Sequence, residues 1–186
     1  MINILTICGS LRANSLNAIV ADALAPLAPE NVRVSRAPSF QDFPIYNADV
    51  HGRAGITEAV TKFIEAIAAA DGVVIVSPEY NYSIPGGLKN ALDWVSRSQP
   101  QPLAGKPVAI QSASPGPVGG ARMQYHLRQT LVFLDSRVLN KPEVIINNAG
   151  SRIDPAVRAV SDEATRTLLA QQLATFRDFI RADPAQ

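Results

Sequence analysis

Three short segments gather the side chains and backbone suited to holding a flat, anionic ligand. The first, Gly9-Ser10-Leu11-Arg12-Ala13-Asn14-Ser15-Leu16-Asn17, follows an apolar run and opens a stretch of helical period. The unpaired N–H groups and the dipole of a helix start favour an anion there. Ser10 and Ser15 supply hydroxyls, Asn17 an amide and Arg12 a charged fork that matches a terminal phosphate dianion. These donors exceed what capping needs, although Ser15 as a plain helix cap beside a solvated Arg12 is the simpler alternative. The segment lacks G-x-G-x-x-G and Walker A spacing, so a monophosphate is favoured over Rossmann-type dinucleotide binding or NTP hydrolysis.

The second segment, Ser77-Pro78-Glu79-Tyr80-Asn81-Tyr82-Ser83-Ile84-Pro85-Gly86-Gly87, is stiffened by two prolines and opened to close backbone approach by two glycines. Its amides, including those around Asn81, can meet the polar edge of a planar ring while Tyr80 or Tyr82 covers part of a face. Packing of the loop on itself is the alternative for the aromatics. Glu79 either meets a ring N–H or ties down backbone. The third segment, residues 112–120, is small and glycine-rich, and Ser114 with Gly116 can approach the far edge of the same ligand. Pro115 and Pro117 stiffen it, and no contact from Pro115 is expected.

Positioning these segments requires strands that end where they begin. Apolar runs at residues 3–8, 33–35, 72–77, 108–112 and 144–146 read as five strands, mostly without polar alternation, as in a parallel sheet covered on both faces. Between them, apolar residues at helical spacing mark five helices: Leu16 to Leu27, Val60 to Ile67, Leu88 to Val95, Leu127 to Leu134 and Leu169 to Ile180. Residues 38–47 read as a loop. The class is α/β, and ligands of such sheets bind beyond the carboxyl ends of the strands. With 186 residues, no internal repeat and no flexible linker, a single domain over residues 1–186 is expected.

Composition narrows the function classes. A net charge of +1 draws the chain to neither nucleic acid nor an anionic membrane. The lone Cys8 excludes a disulfide framework and a cysteine metal cluster. The start of the chain shows neither a basic n-region nor a long apolar run, so a cytoplasmic location is expected.

Gly9-Ser10-Leu11-Arg12-x-x-Ser15-x-Asn17, Pro78-Glu79-Tyr80-Asn81-Tyr82-x-x-Pro85-Gly86-x-Leu88-Lys89-Asn90-Ala91-x-Asp93-Trp94 and Gly119-Gly120-Ala121-Arg122 resemble the NAD(P)H-dependent FMN reductase family, in particular its chromate- and quinone-reductase branch. The resemblance implies a flavodoxin-like, doubly wound five-stranded sheet of order 2-1-3-4-5. It also implies bound FMN and ping-pong hydride transfer from NADH or NADPH to quinones, chromate or similar small acceptors. Ser10, Arg12, Ser15 and Asn17 then take the phosphate, Pro78, Glu79, Tyr80, Asn81 and Tyr82 the ring, and Ser114 with Gly116 the remaining edge. The chemistry belongs to FMN, so no catalytic side chain is named. The branch also implies homotetramers or dimers, with Arg122, Tyr125 and Glu143 at subunit contacts.

Other features carry less. Cys8 ends a strand as an inert buried thiol, His51 in a polar loop and His126 on the fourth helix lack metal-site spacing, and Trp94 is a core or interface anchor. Two rival functions remain: a reductase that releases reduced FMN to a monooxygenase, and a flavodoxin-like electron carrier. The carrier is disfavoured by the absence of an acidic excess. A signalling receiver would need acidic residues where Gly9 and Ser10 stand.

Overall fold

The near-continuous apolar runs become parallel strands covered by helices on both faces, the arrangement in which a strand needs no polar side. In this computed structural model, which describes residues 1–182, β1 (Ile2–Cys8), β2 (Val32–Arg36), β3 (Gly72–Val76) and β4 (Pro107–Ala113) pair in the order β2-β1-β3-β4, all parallel. The fifth position is divided. β5 (Arg137–Val138) pairs with the start of β4 and β6 (Val144–Ile146) with its end. Pro142 between them has no N–H to offer a ladder, so the strand expected at 144–146 is the second half of an interrupted one. The order 2-1-3-4-5 is therefore present, with its last strand broken.

Strand pleating sends alternate side chains to opposite layers. Ile4, Val74, Val76 and Ala109 pack against α1 (Leu16–Ala23) and α6 (Glu163–Arg181), where Ile19, Val20, Leu169, Leu173 and Phe176 meet them. Leu5, Ile7, Val73, Ile75 and Ile110 face α3 (Glu58–Ala69), α4 (Gly86–Val95) and α5 (Ala121–Phe133), which contribute Phe63, Leu88, Leu92 and Leu127. Each fully buried large side chain such as Phe63 contributes about 1.5–3 kcal/mol of transfer free energy.

Three local features depart from the sequence expectation. The first helix stops at Ala23 rather than reaching Leu27, because Pro26 cannot donate to the Asp22 carbonyl. Residues 48–54 form a helix, α2 (Ala48–Ala54), started by the Asn47 side chain, which accepts the Asp49 and Val50 N–H groups. It buries no residue, so it leaves no apolar stripe to read, and it carries His51, which lies edge-on to Trp94 at 5.6 Å rather than in a loop. Finally, β7 (Ile153–Asp154) and β8 (Ala159–Val160) make a small antiparallel hairpin whose turn reaches back to the segment after β1. Trp94 is buried and donates its ring N–H to the Pro44 carbonyl at 2.7 Å. No helix among the described residues is long and apolar enough to cross a membrane.

Candidate active site

Because β1, β3 and β4 are neighbours, the segments that follow them share one rim of the sheet. Their close approach has a steric condition. A Cβ on Gly9 would stand 2.3 Å from the Ser77 hydroxyl, so only glycine lets the first segment lie against the second.

The rim encloses a cleft of about 430 Å³ walled by Ser10, Arg12, Ser15, Asn17, Pro78, Glu79, Tyr80 and Ser114. Asn14, Pro115 and Pro155 also line it. Asn14 and Pro155 were not anticipated, and Pro115 does contribute wall. Pro155 comes from the β7–β8 turn, far away in sequence, and nothing local marks it. Asn81, Tyr82 and Gly116 lie outside this lining.

Ser15 is the N-cap of α1, its Oγ accepting the Ala18 N–H. Asn17 is buried and clasps β4: its Nδ2 donates to the Ala113 carbonyl and its Oδ1 accepts the Ala113 N–H, both at 2.9 Å. Ser10 is buried and its Oγ accepts the Arg12 N–H. Its hydroxyl hydrogen, the Arg12 guanidinium and the Leu16 and Asn17 N–H groups at the start of α1 have no partner among the described residues. Cys8 donates to the Ser10 carbonyl, and burial pushes its thiol above the ordinary value.

The second segment is held by α5. Glu79 Oε2 accepts the Arg122 and Met123 N–H groups at 3.0 and 3.2 Å, and Oε1 accepts from the Arg122 guanidinium at 3.1 Å. A carboxylate thus caps a helix whose own N-cap, Gly120, has no side chain to do so. Of the two roles open to Glu79 in the sequence, backbone tethering is the contact seen, and the tethered backbone belongs to another element. Tyr80 and Ser83 exchange N–H···O bonds at 3.0 Å around a two-residue turn in which Asn81 and Tyr82 both have positive φ, 49° and 68°. Non-glycine residues in that region store strain. The turn brings the Tyr82 ring under Arg122, 4.1 Å from its guanidinium carbon, and Ser83 to 2.9 Å from His126 Nδ1.

In the third segment Ser114 Oγ accepts the Gly116 N–H at 3.2 Å, and the Gly116 carbonyl accepts from Gly119 and Asn148. Gly119 and Gly120 have positive φ, and a Cβ on Gly119 would lie 2.6 Å from Ile145. Those two glycines therefore serve packing. Gly86 and Gly116 do not: a Cβ on Gly86 would meet nothing within 4 Å, and one on Gly116 only the Ser114 hydroxyl at 3.7 Å.

A family model for NADPH-dependent FMN reductase matches residues 2–151. The chain belongs to that family. It is 51% identical to a quinone reductase of Escherichia coli over 97% of this chain and 96% of the other, and 47% identical to an NAD(P)H-dependent FMN reductase of Pseudomonas aeruginosa over the same shares. Among solved structures, the flavoenzyme NAD(P)H:(acceptor) oxidoreductase FerB of Paracoccus denitrificans superimposes with a TM-score of 0.86 at 32% identity, covering 98% of this chain and 99% of that one. As a member of the FMN reductase family, the chain is an oxidoreductase that works with FMN and a nicotinamide dinucleotide.

The residues present suit FMN. Unengaged donors of the first segment can meet a phosphate, and Gly86 and Gly116 leave open space that the protein's own packing does not fill.

Proposed function

We propose that this chain oxidises NADPH or NADH and reduces quinones, chromate or similar small acceptors through FMN held in the 430 Å³ cleft. One observation carries this reading: donors without partners among the described residues, the Arg12 guanidinium, the Ser10 hydroxyl and the Leu16 and Asn17 N–H groups, converge on one cleft. The 51% identity to the Escherichia coli quinone reductase supports the acceptor class.

Ser10, Arg12 and the start of α1 behind Ser15 and Asn17 would hold the phosphate. Pro78, Glu79, Tyr80, Asn81 and Tyr82 would hold the ring, with the N–H groups of Glu79, Asn81 and Tyr82, unpartnered among the described residues, as donors to its polar edge. Ser114 and Gly116 would meet the remaining edge. When bound, FMN supplies two-electron chemistry between nicotinamide and acceptor. The chain's own work is to hold the ring by one edge, keep the approach narrow and present donor and acceptor in near-attack geometry. One approach used in turn by both substrates gives parallel initial-rate lines. The buried thiol of Cys8 suits a reducing, cytoplasmic setting.

Self-association through α5 fits the same picture. Tyr125, Val132 and Phe133 are 64%, 77% and 78% exposed on it. Arg122 stands at its start, and Glu143 in the segment ahead of β6.

The deciding experiment purifies the protein without added flavin, records its visible spectrum, then adds NADPH or NADH anaerobically followed by a quinone. Retained flavin bands that bleach with nicotinamide and return with quinone are expected. A colourless protein that needs added FMN would replace this reading with a flavin-releasing reductase. Bound flavin that neither nicotinamide bleaches would replace it with an electron carrier.

A further inference from the structure

On the far side of the first segment lies a second cavity of about 370 Å³, between that segment, α1 and the chain leaving β2. Arg12, Arg36 and Arg158 line it together with Asp22. Asp22 pairs with both Arg36 and Arg158, so the lining carries three guanidiniums to one carboxylate. Arg36 also donates from Nη1 to the Ala18 carbonyl, and Arg158 from Nη1 to the Ala13 carbonyl at 3.3 Å. These bonds fix the two side chains and leave further N–H donors on each without a partner among the described residues. Arg158 has a positive φ of 50° in the β7–β8 turn, a strained placement that aims it across the first segment.

The cavity has more than charge. Leu11 and Pro38 add apolar wall, and its volume exceeds what a bare inorganic anion fills. Ser10 and Arg12 line both this cavity and the flavin cleft. A third hollow shares Leu11 and Arg12 with this cavity and Arg12 and Tyr80 with the flavin cleft. The cavities are thus neighbours across Arg12, which places the arginines beside the flavin cleft for a long ligand.

Building on the donor role proposed above, we infer that this cavity takes the adenosine 2′-phosphate end of the hydride donor and selects NADPH over NADH. The 2′-phosphate is a dianion, the group that a pair of immobilised planar guanidiniums recognises by forked hydrogen bonds. NADH lacks it and leaves those donors unanswered. Selectivity of this kind is a difference in affinity, carried by side chains distant from the reacting ring.

The test titrates the flavin-loaded enzyme with 2′,5′-ADP by calorimetry, a readout independent of turnover, with 5′-AMP and inorganic phosphate as controls. Expected is binding of 2′,5′-ADP at least tenfold tighter than either control, and competition with NADPH. Arg36→Gln and Arg158→Gln should each weaken 2′,5′-ADP and raise the KM for NADPH about tenfold, with kcat, the KM for NADH and the flavin spectrum unchanged. Arg158→Lys keeps a cation on Asp22, protecting the fold, yet loses the planar fork and should still weaken 2′,5′-ADP severalfold. The inference is overturned if the variants leave 2′,5′-ADP binding unchanged, if both donors' KM values rise together, if the variants lose FMN, or if inorganic phosphate binds as tightly as 2′,5′-ADP. If NADPH fails to bleach the wild-type flavin, the donor role itself falls; 2′,5′-ADP binding reports on the cavity separately.

Discussion

The segment after β1 and the segment after β3 sit side by side, yet they use their polar groups in opposite ways. Around residues 77–85 three polar or aromatic side chains are engaged by the protein: Glu79 by the start of α5, Tyr82 by Arg122 and Ser83 by His126. In the segment that opens with Gly9, the Arg12 guanidinium and the Leu16 and Asn17 amides have no partner among the described residues. The contrast separates scaffold from receptor. A group already satisfied by the fold contributes to stability, whereas an exposed, preorganised donor contributes to binding.

Substitutions can sharpen or break that division. The largest expected effect is on stability. Gly9→Ala forces a Cβ into Ser77 and should cost about 2–3 kcal/mol in urea unfolding, because it separates the two segments. Gly86→Ala makes the opposite test: its Cβ meets no protein atom, so apoprotein stability should hold within about 0.5 kcal/mol while FMN affinity falls. Equal loss of stability in both variants would break the division. Next, Arg12→Ala should weaken FMN by about 2 kcal/mol, roughly thirtyfold, in a fluorescence titration of apoprotein, with the unfolding midpoint unmoved. Glu79→Gln should reverse that pattern, costing about 1 kcal/mol of stability through the weakened α5 cap and altering FMN affinity less. An Arg12 variant that unfolds early, or a Glu79 variant that chiefly loses flavin, would exchange the roles of the two segments.

The smallest effect lies outside both segments and serves as their reference. Asp162 caps α6, and hydrogen bonds from the Thr165 hydroxyl and N–H hold its carboxyl below the ordinary value. With the folded value depressed, its stabilisation is present above the unfolded carboxylate range and lost as pH falls through the folded value. Asp162→Asn should flatten that acid limb in thermal melts across pH and leave FMN titrations unchanged.

Legibility in the sequence followed the strength of the burial pattern. β1, β3 and β4 were readable because their runs are largely apolar, and α6 because its buried Leu169, Leu173 and Phe176 keep helical spacing. α2 buries nothing, and β5, β7 and β8 are two residues each, too short for any period to show. In the site, Ser10, Arg12 and Tyr80 were marked by residue type and place in a strand-to-helix segment. The clasp of Asn17 on Ala113 and the grip of Glu79 on α5 were not, since each joins residues far apart in the chain.

By itself the sequence determined the α/β class, the three segments that make the rim and the flavin-binding family to which they belong. Each of these is a local matter of hydrophobic period, turn residues and donor types over a few neighbouring positions. The tertiary structure alone decided which donors stay unengaged, which glycines serve packing and which leave open space. It also brought Arg36, Asp22 and Arg158 around one cavity. Those properties depend on distances between segments of different strands, set only when the sheet order places β2 beside β1 and the β7–β8 turn packs on the segment after it.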